Sequence, residues 1–441
     1  MDAKNKIKVV WICHFSNENI RELLKLSKLT LHIALKRIFK NEKAQPYRDF
    51  APWVTNLAKE FERIEDIELH IISPHRGLIK NIESFAMNKI NYHFFKPDLP
   101  LIYFNITNKL LYMGRKPKYY KNRYLIRKII KQINPDIINL IGAENPYYSI
   151  SSLDIKNIPV YVACQTVYSN PARKEMGDSV VPGRWETELK IHKKEKYFGC
   201  HGRMHHDLVL KNNPKATIFK MFFPLEKPEK VANYNKIYDF VFFAGIAKKK
   251  GVEDLIDALA LVKKKKESVL LDIVGSSDGN YMSFLFKKVK ELGLENNVVF
   301  HNYFPKHIDM HQHVVQAKFA VLPVKLDDIP GSVIEAIYLE LPVVTYKTTG
   351  TPYLNKDAES VLIGDIGDID MLANNMIKLL EDEKLGNKLK KNALEVVNKE
   401  FDNKVSAMRF VSNYKAIIEN YNHQTEIPKE QLFNLNEFPI Y

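Results

Sequence analysis

The chain has 441 residues, of which 45% are hydrophobic and 27% charged, and its formal net charge is +14. That balance excludes a disordered chain, and the length leads to an expectation of two domains. No apolar run is long enough for a bilayer span, and the three scattered cysteines (Cys13, Cys164, Cys200) exclude a disulfide framework and suit a reducing cytoplasm.

The opening MDAKNKIKVVWICHFSN reads as a polar tip and a buried strand (7–13), not a signal peptide, since its apolar part is short and no small-residue cleavage site follows. Residues 21–43 are basic, with Leu24, Leu31, Leu35 and Ile38 able to share a helical face. PWVTNLAKEFERI places Trp53, Leu57, Phe61 and Ile64 on one helical face, and IELHIIS (67–73) follows as a strand. Residues 115–131 carry eight basic residues, three tyrosines and no acid, while Leu125, Ile126, Ile129 and Ile130 form an apolar stripe. Further strands are expected at 136–142 and 158–164. A proline-containing, charged segment, 223–236, separates a first domain (1–222) from a second (237–401).

The second half alternates regularly. Strands DFVFFAG (239–245), SVLLDIVG (268–275), NVVFH (297–301), KFAVLPV (318–324) and LPVVTY (341–346) are separated by helical stretches. Such alternation predicts a parallel sheet wrapped by helices. Helices follow near 368–381, 384–399 and 402–420, the first capped by the acids of DIGDID, and the C-terminal region 402–441 is expected to pack back on the first domain. The fold class is therefore α/β: two Rossmann-like, doubly wound domains facing across a cleft.

In open α/β sheets ligands bind beyond the carboxyl ends of the strands. There this chain places Lys248, Lys249 and Lys250 before Gly251, the stretch GSSDGN with Gly275, and DDIPGSVIEA. Lysines beside a helix start suit phosphate, and a glycine lets a ligand approach the backbone. Ser332 and Glu335 spell a capping box, S-x-x-E, which leaves Asp327 and Asp328 unexplained. A ligand with phosphates for the amides and lysines, and hydroxyls for the carboxylates, reconciles these groups; a nucleotide sugar has both. His307 and His311 have metal-ligand spacing, but the glutamate of H-E-x-x-H is missing, so they read as a polar helix face, as do the histidines of HGRMHH (201–206).

Asp327-x7-Glu335, followed by A-x4-LPVV and preceded by a strand–lysine–glycine–helix unit, resembles the donor half of family-four glycosyltransferases, retaining enzymes of the GT-B fold. The resemblance implies that Glu335 holds ribose hydroxyls, Asp327 contacts the donor sugar, Lys250 neutralises the diphosphate, the backbone at Gly331 and Ser332 faces the diphosphate, and the backbone near Phe304 meets the base. It is good over 239–400, moderate in the first half and weak at the start. The family's arginine after the first donor-domain strand is replaced by Ile246, with Lys248 or Lys249 as substitutes. The glycine-rich loop after the first strand is replaced by CHFSNENIRE, with His14 and Asn17 as polar groups. Near the family's sugar-side histidine stand Asn139 and Glu144. His14, Asn17 and Glu144 are thus the acceptor-side candidates.

The implied activity is retaining transfer of a sugar from a nucleotide-diphosphate sugar to a glycan or lipid-linked acceptor in cell-surface polysaccharide synthesis, without metal or other cofactor. The basic stretches 21–43 and 115–131 would let a cytoplasmic enzyme touch the anionic inner face of the membrane. An epimerase of similar two-domain fold is the alternative. A nucleic-acid-binding protein ranks last, because it leaves the strand-end pattern unexplained.

Overall fold

The computed structural model describes residues 6–27, 51–98, 118–175, 182–225, 227–228, 235–277, 279–304 and 306–438. Residues 28–43 of the first basic stretch and 115–117 of the second lie outside the described residues.

The first sheet has eight strands: β1 (Ile7–Ile12), β2 (Ile67–Pro74), β3 (Ile82–Met87), β4 (Ile90–Phe95), β5 (Ile137–Ile141), β6 (Val160–Ala163), β7 (Tyr197–Cys200) and β8 (Thr217–Lys220). Their order is β3-β4-β2-β1-β5-β6-β7-β8, and every pairing except β3 with β4 is parallel. The second sheet is wholly parallel, in the order β11-β10-β9-β12-β13-β14, from β9 (Tyr238–Phe243), β10 (Leu271–Val274), β11 (Val298–His301), β12 (Ala317–Leu322), β13 (Val343–Tyr346) and β14 (Leu362–Gly364). Strands covered on both faces are buried along their whole length, as β5, β6 and β10 are, and most of their side chains are apolar, Asn139 and Asp272 excepted.

Each sheet reverses its strand order once. β1 pairs with both β2 and β5, and β9 pairs with both β10 and β12. The loops leaving β1 and β5 diverge around one crevice, and those leaving β9 and β12 around another. These four loops carry nearly all the candidate residues.

The chain crosses between domains a second time. The helix Asn403–His423 packs against the helix Pro52–Phe61, and its Tyr414 hydroxyl accepts hydrogen bonds from Trp11 Nε1 (3.0 Å) and Asn139 Nδ2 (2.7 Å). Asn139, an acceptor-side possibility in the sequence, is thereby buried inside the first domain. Beyond this helix, Phe433 N donates to Ile218 O (2.9 Å), and the Phe438 ring stacks on Tyr353 and Phe433, each at 4.5 Å. The tail thus bridges the edge of the first sheet and the second domain.

Leu125, Ile126, Ile129 and Ile130 of the helix Tyr120–Ile133 face the core, and Tyr120, Tyr124, Arg127, Lys128 and Lys131 face solvent. No helix among the described residues is long and apolar enough to cross a membrane.

Candidate active site

The β9 loop forms the floor of the donor-side crevice. Lys248–Lys250 make one 3-10 turn, ended by Gly251 at φ 76°. Only glycine fits there: the backbone is left-handed, and a Cβ would lie 2.0 Å from Pro323 O. This contact, with the Lys325 N to Lys249 O hydrogen bond (2.9 Å), fastens the β9 loop to the β12 loop. Lys250 Nζ therefore stands 3.2 Å from Asp327 Oδ2. Burial alone would raise the Asp327 carboxyl, but the charges of Lys250 and then His201 outweigh it and hold the group below the usual carboxylate range. Asp327 is an anion at neutral pH.

Asp328, one residue on, does something different. It is fully buried and accepts from Met204 N (3.0 Å), His205 N (3.2 Å) and the Thr349 hydroxyl. The helix Arg203–Asn212 of the first domain has Gly202 at its N-cap, with no side chain to offer, so Asp328 supplies the cap from the other domain. The approach is tight: a Cβ on Gly202 would lie 2.3 Å from Asp328 Cγ. His205 Nδ1 lies 3.1 Å from Asp328 Oδ2 but out of line for a hydrogen bond, and burial pushes the ring down to about pH 4 for its titration.

The capping box expected from Ser332 and Glu335 does not form. The helix Gly331–Tyr338 has Pro330 at its N-cap and no side-chain cap, so Ser332 stands two positions past the cap, too far in to serve. Glu335 instead turns toward the helix His307–Val314, where His311 Nε2 meets its Oε1 at 2.6 Å and His307 Nδ1 lies 3.7 Å away. His311 is thus buried against an acid, not part of a polar face. Glu335 Oε2 and the amides of Gly331 and Ser332 make no hydrogen bond within the described residues. Among the described residues a Cβ on Gly331 would touch only Leu225 Cδ2, at 3.6 Å.

The other donor-side residues have packing roles. A Cβ on Gly275 would lie 2.1 Å from Ala244 O, so the adjoining strand end alone demands glycine. Ile246 is buried and its N donates to Ser276 O (3.1 Å), whereas Lys248 is exposed. Phe304 follows β11, half-buried, its ring centroid 5.1 Å from that of His313.

On the first-domain side, His14 Nδ1 pairs with the Tyr147 hydroxyl at 2.9 Å, and burial, aided by His75 and Arg76, lowers its titration to about pH 4. Asn17 is the N-cap of the helix Glu18–Leu23, accepting from Ile20 N at 3.0 Å. Glu144 is buried; Oε1 accepts from Asn145 Nδ2 (2.9 Å), and Oε2 is buried with no partner. Burial raises its carboxyl, with Arg184 opposing. Arg184, which the sequence did not single out, donates to Glu144 O (2.9 Å) and Asn145 Oδ1 (3.0 Å) and lies 4.4 Å over the Tyr168 ring. Nothing local marks an arginine forty positions away as its partner.

The structure therefore brings Lys250, Asp327 and the start of the Gly331–Tyr338 helix to one switch point, with His201 of the other domain close enough to bias Asp327. Residues 225–396 match the family described as glycosyl transferases group 1. The second domain is thus similar to the group 1 glycosyl transferases. The capsular polysaccharide biosynthesis glycosyltransferase CapM of Staphylococcus aureus is 26% identical over 197 residues, 44% of this chain and 49% of the relative. The chain spans about half the length of the curated relatives it matches. A sucrose-phosphate synthase from Thermosynechococcus elongatus superposes with a TM-score of 0.65 at 14% identity, over 93% of this chain and 98% of that one. Anabaena HepE in complex with UDP and glucose superposes with a TM-score of 0.60 at 14% identity, over 93% and 99%. The two sheets and the cleft between them have the GT-B fold of these solved structures.

Proposed function

We propose that the protein is a retaining glycosyltransferase that moves a sugar from a nucleotide-diphosphate donor to a glycan or lipid-linked acceptor. The observation that carries this reading is the Lys250–Asp327 pair beside the unpartnered Gly331 and Ser332 amides. A diphosphate needs cationic and N–H donors, which Lys250 and these amides offer. A sugar needs acceptors held as anions, and Asp327 is one. Glu335, with Oε1 engaged by His311, keeps Oε2 for ribose hydroxyls. HepE, whose structure holds UDP and glucose, and CapM, named for capsular polysaccharide biosynthesis, support a nucleotide-sugar donor and a polysaccharide product.

Catalysis in this reading is positioning plus charge stabilisation. Lys250 and the helix amides stabilise the leaving diphosphate as the glycosidic bond breaks. The leaving phosphate oxygen takes the acceptor proton, so no side-chain base is required. No metal takes part, because lysine and amides meet the charge a metal would otherwise meet. The acceptor enters from the first domain, past Glu144 and Arg184, and the solvent-facing tyrosines and basic residues of Tyr120–Ile133 meet an anionic membrane surface.

A melting-temperature screen against nucleoside diphosphates and their sugars tests the donor, since a ligand bound only by the folded state raises apparent stability. The expected result is a rise with one nucleoside diphosphate and its sugar, and anomeric retention in the product formed when an acceptor is added. Conversion of the nucleotide sugar alone to an epimer would overturn the transferase reading. Transfer at the wild-type rate by a well-folded Glu335→Ala protein would overturn the role of that carboxylate.

A further inference from the structure

Asp272 sits within β10, and its side chain is fully buried. Its neighbours Leu271, Ile273 and Val274 are the residues a covered strand calls for. An ionised carboxylate removed from water is costly unless a cation or a metal meets it. No lysine or arginine among the described residues meets this one. Its two oxygens face imidazoles from two other elements instead. His301 Nδ1, at the end of β11, lies 2.7 Å from Oδ1, and His313 Nε2, on the helix His307–Val314, lies 2.7 Å from Oδ2. The two rings are 4.3 Å apart at 61°, and one ligating atom from each of the three residues lies within 4.8 Å of the others. The His301 side chain is 34% exposed, which gives an ion a way in.

Two other clusters of histidine and acid occur among the described residues. In His201–His205–Asp328 the acid caps a helix, and in His307–His311–Glu335 it stands at the donor rim. Among the described residues the Asp272 side chain has no hydrogen-bond partner besides the two histidines.

We propose that Asp272, His301 and His313 bind a divalent transition-metal ion, with zinc the best match to two imidazoles and one carboxylate. Ligands around a tetrahedral zinc stand roughly 3.3 Å apart, so seating the ion requires the two 2.7 Å contacts to open by about half an ångström. The ion takes the place of the missing cation and ties β10, β11 and the helix His307–Val314 together behind the loop that carries Phe304. A fourth position is left for water on the exposed side of His301. This site is separate from the proposed transfer chemistry and stands or falls without it.

The test is titration of the chelator-treated full chain with Zn²⁺, followed by calorimetry and by melting temperature. The expected result is one equivalent per chain and a rise of several degrees in melting temperature. Asp272→Asn and His301→Ala should each weaken binding at least tenfold, while His307→Ala, in a neighbouring cluster, should not. The partly exposed His301 keeps the test open even where Asp272→Asn folds poorly. Absence of binding at micromolar Zn²⁺, or binding that survives both variants, overturns the site and leaves a buried carboxylate hydrogen-bonded to two imidazoles.

Discussion

The two rims of the cleft rest on the same topological device, yet they use their polar side chains differently. On the donor rim Lys250 and Asp327 face each other, Glu335 keeps one oxygen, and two helix amides stay unpaired within the described residues. On the first-domain rim, Asn17 caps a helix and His14 is held by Tyr147. Glu144 is the exception, with one buried oxygen unpartnered. A crevice at a sheet's switch point is thus not enough to make a ligand site; polar groups left over after folding are also needed. The same contrast holds between adjacent residues, since Asp327 faces the cleft and Asp328 joins the domains.

The largest effect is expected from Lys250→Ala. Losing one preorganised donor at the leaving group should lower kcat by about 10²–10³, with melting temperature little changed. Asp328→Ala comes next and should act on stability, by about 2 kcal/mol, because the cap of Arg203–Asn212 is lost and buried amides are left unpaired. Thermal unfolding of that variant beside Asp327→Asn separates the two acids: the first should melt lower, the second should stay folded and turn over slowly. The same seam has a pH dependence. His205 is held neutral, down to about pH 4, whereas in the unfolded chain it takes up a proton near pH 6.5. Its contribution is complete above pH 6.5 and is lost as pH falls toward 4, which a series of melts from pH 7.5 to 4 will read. Glu335→Gln should raise the donor KM about tenfold with a smaller change in kcat, as expected of a residue that binds the part of the donor that does not react. Asn17→Ala should be smallest, costing about 1 kcal/mol of stability with transfer unchanged, as suits a cap.

Much of this arrangement was legible in the sequence where one physical rule governs a local stretch. The strands buried on both faces showed as apolar runs, and Asp368 caps its helix by accepting from Met371 N as the acid-rich stretch suggested. Short or one-sided strands were missed: β3 and β4 form an edge hairpin with exposed positions, and β7, β8 and β14 are no longer than four residues each. The capping box misled because its spacing was right but the helix starts at Gly331, so the serine is inside it. Contacts between distant segments left no mark at all. Asp328 under Arg203–Asn212, His311 on Glu335 and Arg184 beside Glu144 each depend on where two separate loops end up.

The return of Asn403–His423 to the first domain bears on how the protein is made. Phe410 and Tyr414 close over Trp11, Phe61 and Tyr161, side chains translated well before the helix that covers them. Until then the nascent first sheet carries an oily, sticky flank with no lid of its own. Arrival of this helix, rather than completion of the first lobe, is the event that seals it, and the flank is open to aggregation in the interval.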